Sequence, residues 1–286
     1  MELFLYISLI TLIAGVAGTG IGGVIGSFFK KSSNRVISLL LSATSGVMIA
    51  IVCFDLLEES VEAANQVIDF AGVLITVASV FIGVFLVLLL NRVIDRSTER
   101  QVKHTADENH PQVHDDIDEL NHVNHYNEHA KQGAPSRELW TAGVVIACAI
   151  ALHNIPEGMS IGASFAVGTE EAALGALMLA ILIGLHNIPE GMAVTVPLVA
   201  GGMGRLKAIA LTALSGLPMV IGAWLGLWIG DIGPLGLACS LGFASGAMLY
   251  VVFGEIIPQS ILMHKSRVPA IMVVVGMVIG MTLIYL

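Results

Sequence analysis

The sequence predicts an all-α polytopic membrane protein with eight transmembrane helices in a 3+2+3 inverted-repeat arrangement. Three observations predict it. Of 286 residues, 56% are hydrophobic and only 12% charged, with a mean hydropathy of +0.86, whereas soluble domains carry about 25% charged residues. The apolar residues fall into eight runs, each near the ~20 residues that cross a bilayer as a helix. Finally, the stretch from Ser45-Gly46-Val47-Met48 to Asp55 returns as Ser245-Gly246-Ala247-Met248 to Glu255, 200 residues later. The copies lie in the second and seventh runs, an odd number of crossings apart, so they face opposite ways. Runs 1–3 and 6–8 then become inverted repeats around runs 4 and 5, an arrangement that puts a transport site near mid-membrane.

The first run, 3–29, follows Met1-Glu2-Leu3 without a basic leader and is too long for a signal-peptide core, so it reads as a membrane helix. The second, 36–57, carries Met48 and Asp55, and the third, 70–94, completes the first repeat. Residues 95–136 differ in kind. They hold His104, His110, His114, His122, His125 and His129 among nine acidic residues, with no helix or strand period. That composition predicts a disordered loop, either a plain solvated linker or a tract of weak, exchangeable metal binding. Runs four and five, 138–166 and 172–199, carry the polar motifs described below. Runs six to eight cover 206–230, 234–262 and 268–286. The chain is thus one transmembrane domain, 1–286, divided into 1–94 with helices 1–3, the loop 95–136, 137–199 with helices 4 and 5, and 200–286 with helices 6–8. Cys53, Cys148 and Cys239 all fall in apolar runs with no pairing or metal-knuckle spacing. They are expected to be small buried hydrophobes.

Charge gives the topology. All 13 Lys and Arg lie between or beside runs 1 and 2, 3 and 4, 5 and 6, or 7 and 8, which is one side of an eight-helix chain. The opposite connections are acidic, with Glu58, Glu59, Glu62, Asp69, Glu170, Glu171 and Asp231. The positive-inside rule therefore predicts extracytoplasmic termini and a cytoplasmic 95–136 loop.

The chemistry concentrates in His153-Asn154-Ile155-Pro156-Glu157-Gly158 and its second copy, His186-Asn187-Ile188-Pro189-Glu190-Gly191. In each, His and Glu four residues apart share a helix face. Each Pro removes a backbone donor and frees the carbonyl of Leu152 or Leu185. Ionisable groups at membrane depth are costly and point to function. Two carboxylates close together in an apolar medium repel unless a proton or a cation lies between them. A divalent cation resolves the repulsion, and imidazole with carboxylate suits zinc, iron or manganese. The blander reading is an interhelical polar cluster that only joins helices, which duplicated ionisable pairs beside prolines disfavour. Met48 is a possible thioether ligand or simple packing. Asp55 and Glu255 are possible stepping stones on the two sides of a path; Glu58, Glu59 and Glu62 each read most simply as a solvated helix end, and collectively they would concentrate cations at its mouth.

At these motifs the sequence resembles the ZIP (Zrt/Irt-like) family of divalent metal transporters, prokaryotic branch. The resemblance extends over the whole chain, with eight spans, both termini outside, a His-rich loop after span three and the paired motifs. It implies uptake of Zn²⁺, and of Cd²⁺, Fe²⁺ or Mn²⁺, through the plasma (cell inner) membrane. The metal is then cargo rather than cofactor, the protein is not an enzyme, and its partners are the metal ion, the bilayer and a second copy, with no nucleic acid. It implies His153, Asn154, Glu157 and Glu190 as ligands, His186 and Asn187 as ligands or path residues, and Met48 as the span-two methionine. It also implies an elevator in which spans 1, 4, 5 and 6 slide against 2, 3, 7 and 8. One departure stands out: relatives with Ser-Gly-x-Pro in span six place Glu next, where it helps hold a second metal. Here Ser215-Gly216-Leu217-Pro218 precedes Met219, so a single well-formed site is expected. The alternative from another class is an intramembrane zinc-dependent hydrolase using the same His/Glu cluster. Deleting residues 104–130 should leave zinc uptake into proteoliposomes measurable, because no span depends on that segment. Complete loss would contradict this assignment.

Overall fold

In a bilayer core no water can satisfy backbone polar groups, so apolar runs of this length close their hydrogen bonds within themselves as helices. The computed structural model, which describes residues 2–28, 34–67, 72–99 and 136–285, is helical in every run and contains no strand among the described residues. The helices are α1 (Glu2–Phe28), α2 (Arg35–Asn65), α3 (Gly72–Glu99), α4 (Ser136–Ala166), α5 (Glu170–Ala200), α6 (Arg205–Gly230), α7 (Pro234–Met263) and α8 (Val268–Ile284). Six of them, α1–α3 and α5–α7, are long and apolar enough to cross a membrane. The histidines at 104, 110, 114, 122, 125 and 129 lie outside the described residues.

Turn chemistry matches the sequence. Gly168, at φ +77°, ends α4 in a conformation that side chains rarely adopt. Thr169 Oγ1 then accepts the Ala172 N–H at 3.1 Å to cap α5, with Glu170 and Glu171 in its first turn. Two expectations need correction. The second helix runs past residue 57 to Asn65, so Glu58, Glu59 and Glu62 belong to its end, as the helix-end reading expects, rather than to the connection; hydropathy marks where the bilayer ends, not where a helix must. Cys53 and Cys148 are exposed and Cys239 half-buried, because an apolar residue in such a bundle faces lipid as readily as core.

The helices are interrupted at specific places. α1 takes a π-helical turn at Ile13–Ala17, α2 at Val52–Leu56 and α7 at Val252–Ile256. The last two stand at the same 200-residue offset as the sequence match, and each carries the acid, Asp55 or Glu255. α6 breaks at Gly216 and Leu217, ahead of Pro218. By contrast α4 and α5 run unbroken through Pro156, Pro189 and Pro197.

Helix packing falls into two groups. α1 packs on α5 and α6, and α4 on α5 and α6; α2 packs on α8 and α7, and α3 on α7. Glycines form the seams in both groups, letting backbones approach as membrane helices require. Gly158 and Gly162 of α4 lie on the backbone of Met219 and Ala223 in α6, and Gly222 and Gly226 of α6 lie on Ile155 and Met159. Gly22 of α1 meets Ile188, and Gly191 of α5 meets Thr19. In the second group Gly46 meets Val273, Gly276 meets Ala43, and Gly83 and Gly246 join α3 to α7. Hydroxyls fasten α2 to α7 at both ends: Ser60 Oγ donates to Ala238 O at 2.8 Å, and Ser42 Oγ to Ser260 Oγ at 2.9 Å. The start of each helix therefore lies beside the end of the other, so the two run antiparallel.

Across the boundary α4 meets α7 and α2 meets α5. Apart from Gly236 at the α6–α7 connection, the described glycines make their closest backbone contacts within a group. A Cβ at Gly22 would run into Ile188 O, while Gly175 has nothing within 4 Å. Gly22→Val should therefore lower the melting temperature in detergent by at least about 3 °C. Gly175→Ala should leave it unchanged or raise it slightly, since helical Gly costs about 0.5–1 kcal/mol relative to Ala. Differential scanning fluorimetry of the purified variants checks both.

Candidate metal centre

The i, i+4 spacing in α4 and α5 puts a His and a Glu on one face of each helix, and the α4–α5 contact brings the two faces together. Glu157, His186 and Glu190 converge: each offers a ligand atom, and these atoms all lie within 4.8 Å of one another. His186 Nε2 is 3.2 Å from Glu157 Oε1 and 3.4 Å from Glu190 Oε1. All three side chains are buried. Glu157 Oε2, Glu190 Oε2 and both ring nitrogens of His186 have no hydrogen-bond partner of full geometry. Buried polar atoms are normally satisfied, so unpaired oxygens on two neighbouring buried carboxylates mark this as a candidate cation site.

The motif asparagines are held by their nitrogens. Asn154 Nδ2 donates to Ile150 O at 2.9 Å and Ser215 O at 3.3 Å, and Asn187 Nδ2 donates to Ala14 O at 3.2 Å. Their side-chain oxygens are buried and without a partner. The one imidazole and two carboxylates that converge are of the ligand types that suit a borderline divalent cation.

His153 stands apart from the three convergent residues. Its Nε2 lies 3.0 Å from Glu255 Oε2, on the π-helical turn of α7, without the alignment of a full hydrogen bond. Asn91 of α3 donates to the other oxygen of Glu255. Met48 is almost fully buried and belongs to the apolar cluster that also holds Ile161, Ile183, Met219 and Met248. Asp55 lines a cavity of about 280 Å³ with Glu58, Glu59, Glu62 and Ser164, where Ser164 Oγ donates to Glu59 Oε2 at 3.4 Å.

Sequence reasoning did not pair Glu255 with His153, and it missed Asn91 and Ser164 altogether. The acid at a matching repeat position was a signal for Glu255. Asn91, a lone amide closing an apolar run, carried a weaker one.

Comparison with known proteins places the whole chain in one family. The family described as "ZIP Zinc transporter" matches residues 1–286. The zinc transporter ZupT of Clostridium perfringens is 31% identical over 274 residues, 95% of this chain and 92% of its own. ZupT of Akkermansia muciniphila is 31% identical over 281 residues, 96% and 95% of the two chains. The zinc transporter GufA of Myxococcus xanthus is 38% identical over 135 residues, 46% of this chain and 52% of its own. Matched from end to end, with its paired His-Asn-Ile-Pro-Glu-Gly motifs facing each other across α4 and α5, the chain belongs to the ZIP zinc transporter family, a family of membrane transporters and not of enzymes.

Proposed function

We propose that this protein carries divalent metal, zinc foremost with cadmium, iron and manganese as further cargo, through the plasma membrane into the cytoplasm by alternating access. The observation that carries the reading is the buried Glu157–His186–Glu190 cluster with its orphaned acceptors. Relatives named as zinc transporters favour zinc. The cation is bound by Glu157, Glu190 and His186, with Asn154 and Asn187 giving oxygens, His153 exchanging from Glu255 to the cargo, and Met48 as a soft neighbour. The mixed set suits cargo that must leave again, unlike a closed all-thiolate site.

The path runs from the acidic outer cavity at Asp55, through the centre, to Glu255. The basic loops supply the orientation, with both termini and the Asp55 end extracytoplasmic and the 95–136 loop cytoplasmic. That α2 and α7 are antiparallel, with π-helical turns and serine contacts at matching positions, supports the 3+2+3 inverted repeat. The glycine-seamed groups, α1, α4, α5 and α6 against α2, α3, α7 and α8, support an elevator in which the first group carries the metal past the second. The homodimer rests on the resemblance alone. An intramembrane hydrolase would need the same cluster, and membership of a transporter family counts against it.

Two outcomes test the reading. Glu157→Ala in proteoliposomes should reduce saturable Zn²⁺ and Cd²⁺ uptake by at least about a hundredfold, since truncating one member of a buried charged cluster costs about 3–5 kcal/mol, while insertion into the membrane is retained. Uptake at the wild-type rate would sink the assignment. Because Met219 is fully buried in an apolar cluster and brings only a thioether, the chain lacking 104–130 should bind one zinc tightly, read by equilibrium dialysis. Two tightly held zinc ions per chain would overturn the single-site reading.

A further inference from the structure

Two irregular pieces of backbone meet beside the motif asparagines. One is the π-helical turn Ile13–Ala17 of α1. The other is the break of α6 after Ser215. They touch at two glycines, where a Cβ on Gly15 would press on Gly216 O, and a Cβ on Gly216 on Gly15 O. The residue just before each glycine receives one motif amide: Ala14 O accepts from Asn187 Nδ2 at 3.2 Å, and Ser215 O from Asn154 Nδ2 at 3.3 Å, the second N–H of Asn154 going to Ile150 O of its own helix at 2.9 Å. Both asparagines are 0% exposed, and both side-chain oxygens are left without a donor.

An asparagine can offer a site either its oxygen or its NH₂ group, and only the oxygen can ligate a cation. Tying the nitrogen elsewhere decides the choice. We propose that the Gly15–Gly216 contact is a positioning device for the metal: it sets the Ala14 and Ser215 carbonyls so that both amides are held by nitrogen and both present oxygen to the cation. The inference rests on the proposed metal-binding role of this site. Gly15 and Gly216 are then positioning residues, and any side chain at either would part α1 from α6 and move the two carbonyls. Oxygen ligands favour harder cations, so the contact also biases selectivity toward manganese-like ions relative to cadmium. Partners that orient ligands typically change metal affinity about 10–100-fold when altered.

The test is Mn²⁺ inhibition of Cd²⁺ uptake by the full chain in proteoliposomes. In Gly216→Ala the Mn²⁺ concentration for half-inhibition should rise about tenfold, with the KM for Cd²⁺ within about twofold of wild type. Gly276→Ala, at a still tighter glycine contact against Ala43 in the other helix group, should shift neither where it inserts. Asn187→Leu should reproduce the manganese loss, and Gly216→Ala should add nothing further in an Asn154→Leu, Asn187→Leu background. If Gly216→Ala does not insert, Asn187→Leu decides alone. The proposal is overturned if Gly216→Ala behaves like Gly276→Ala, if Asn187→Leu leaves the Mn²⁺ to Cd²⁺ ratio unchanged, or if Mn²⁺ does not inhibit the wild type. No Cd²⁺ uptake by wild type would instead refute the proposed function itself.

Discussion

Two carboxylates held within a few ångströms inside an apolar bundle need a proton or a cation between them. Ligand atoms of Glu157 and Glu190 lie within 4.8 Å of each other. At an effective dielectric near 20, two full charges at that separation repel by about 3–4 kcal/mol, before the cost of removing each from water. His186, between them, offers only one ring nitrogen to two oxygens. That leaves an oxygen of each carboxylate without a donor. Other features of the bundle answer this shortage. The paired motifs put the charges on adjacent helices, the asparagines add acceptors of the same polarity, and backbone breaks in α1 and α6 hold those acceptors in place. A cluster serving only to join helices would pair donors with acceptors. This one accumulates acceptors.

The helices around the charges are joined by glycine, and the pattern of seams has a mechanical meaning. Where Gly158, Gly222, Gly46 and Gly276 bring backbones together, side chains have little freedom and neighbouring helices move as one. Across the boundary, α4 faces α7 and α2 faces α5 through side chains instead. Interlocked surfaces resist sliding, whereas side-chain contacts can be exchanged for others at small cost. The residues proposed to bind metal on α4 and α5 share one group, so a shift of that group in the proposed cycle moves the cation without dismantling its ligands. Met48, on α2, is the exception: a thioether on the other group would be left behind, which fits a transient rather than a permanent ligand.

Much of the fold was legible in the sequence because hydropathy, basic-residue placement and duplicated motifs all report on a bilayer directly. Eight runs became eight helices, and the two His-Asn-Ile-Pro-Glu-Gly copies met as the α4–α5 hairpin requires. What was not legible has a common cause. Composition does not say which helix lies beside which, so nothing marked Glu255 as the neighbour of His153, about a hundred residues away, or Asn91 as the residue behind it. Lipid and core are both apolar, so the exposure of Cys53 and Cys148 could not be read from their surroundings in the chain. The π-helical turns have no compositional mark either. Only the 200-residue repeat hinted that Asp55 and Glu255 occupy equivalent places, and the structure gives that equivalence a local form in the paired turns Val52–Leu56 and Val252–Ile256.

The polar contacts across the group boundary bear on how the cargo leaves. His153 reaches Glu255 on α7, and Ser164 reaches Glu59 on α2. Both begin on α4, eleven residues apart, or about 16 Å along a helix, so α4 touches the second group near the centre and near the acidic cavity. His153 Nε2 lies 3.0 Å from Glu255 Oε2, and Ser164 Oγ 3.4 Å from its acceptor. In the proposed cycle the contacts must be exchangeable, because a carrier group bound permanently at both points would not move. In the proposed cycle a cation at Glu157 and Glu190 competes with Glu255 for the His153 imidazole, and each binding event weakens the other by the same factor. Loading then loosens the inner contact while the serine contact beside the cavity is unaffected. On this view Glu255 is more than a stepping stone, since the carboxylate proposed to receive the cargo also holds the empty carrier in place.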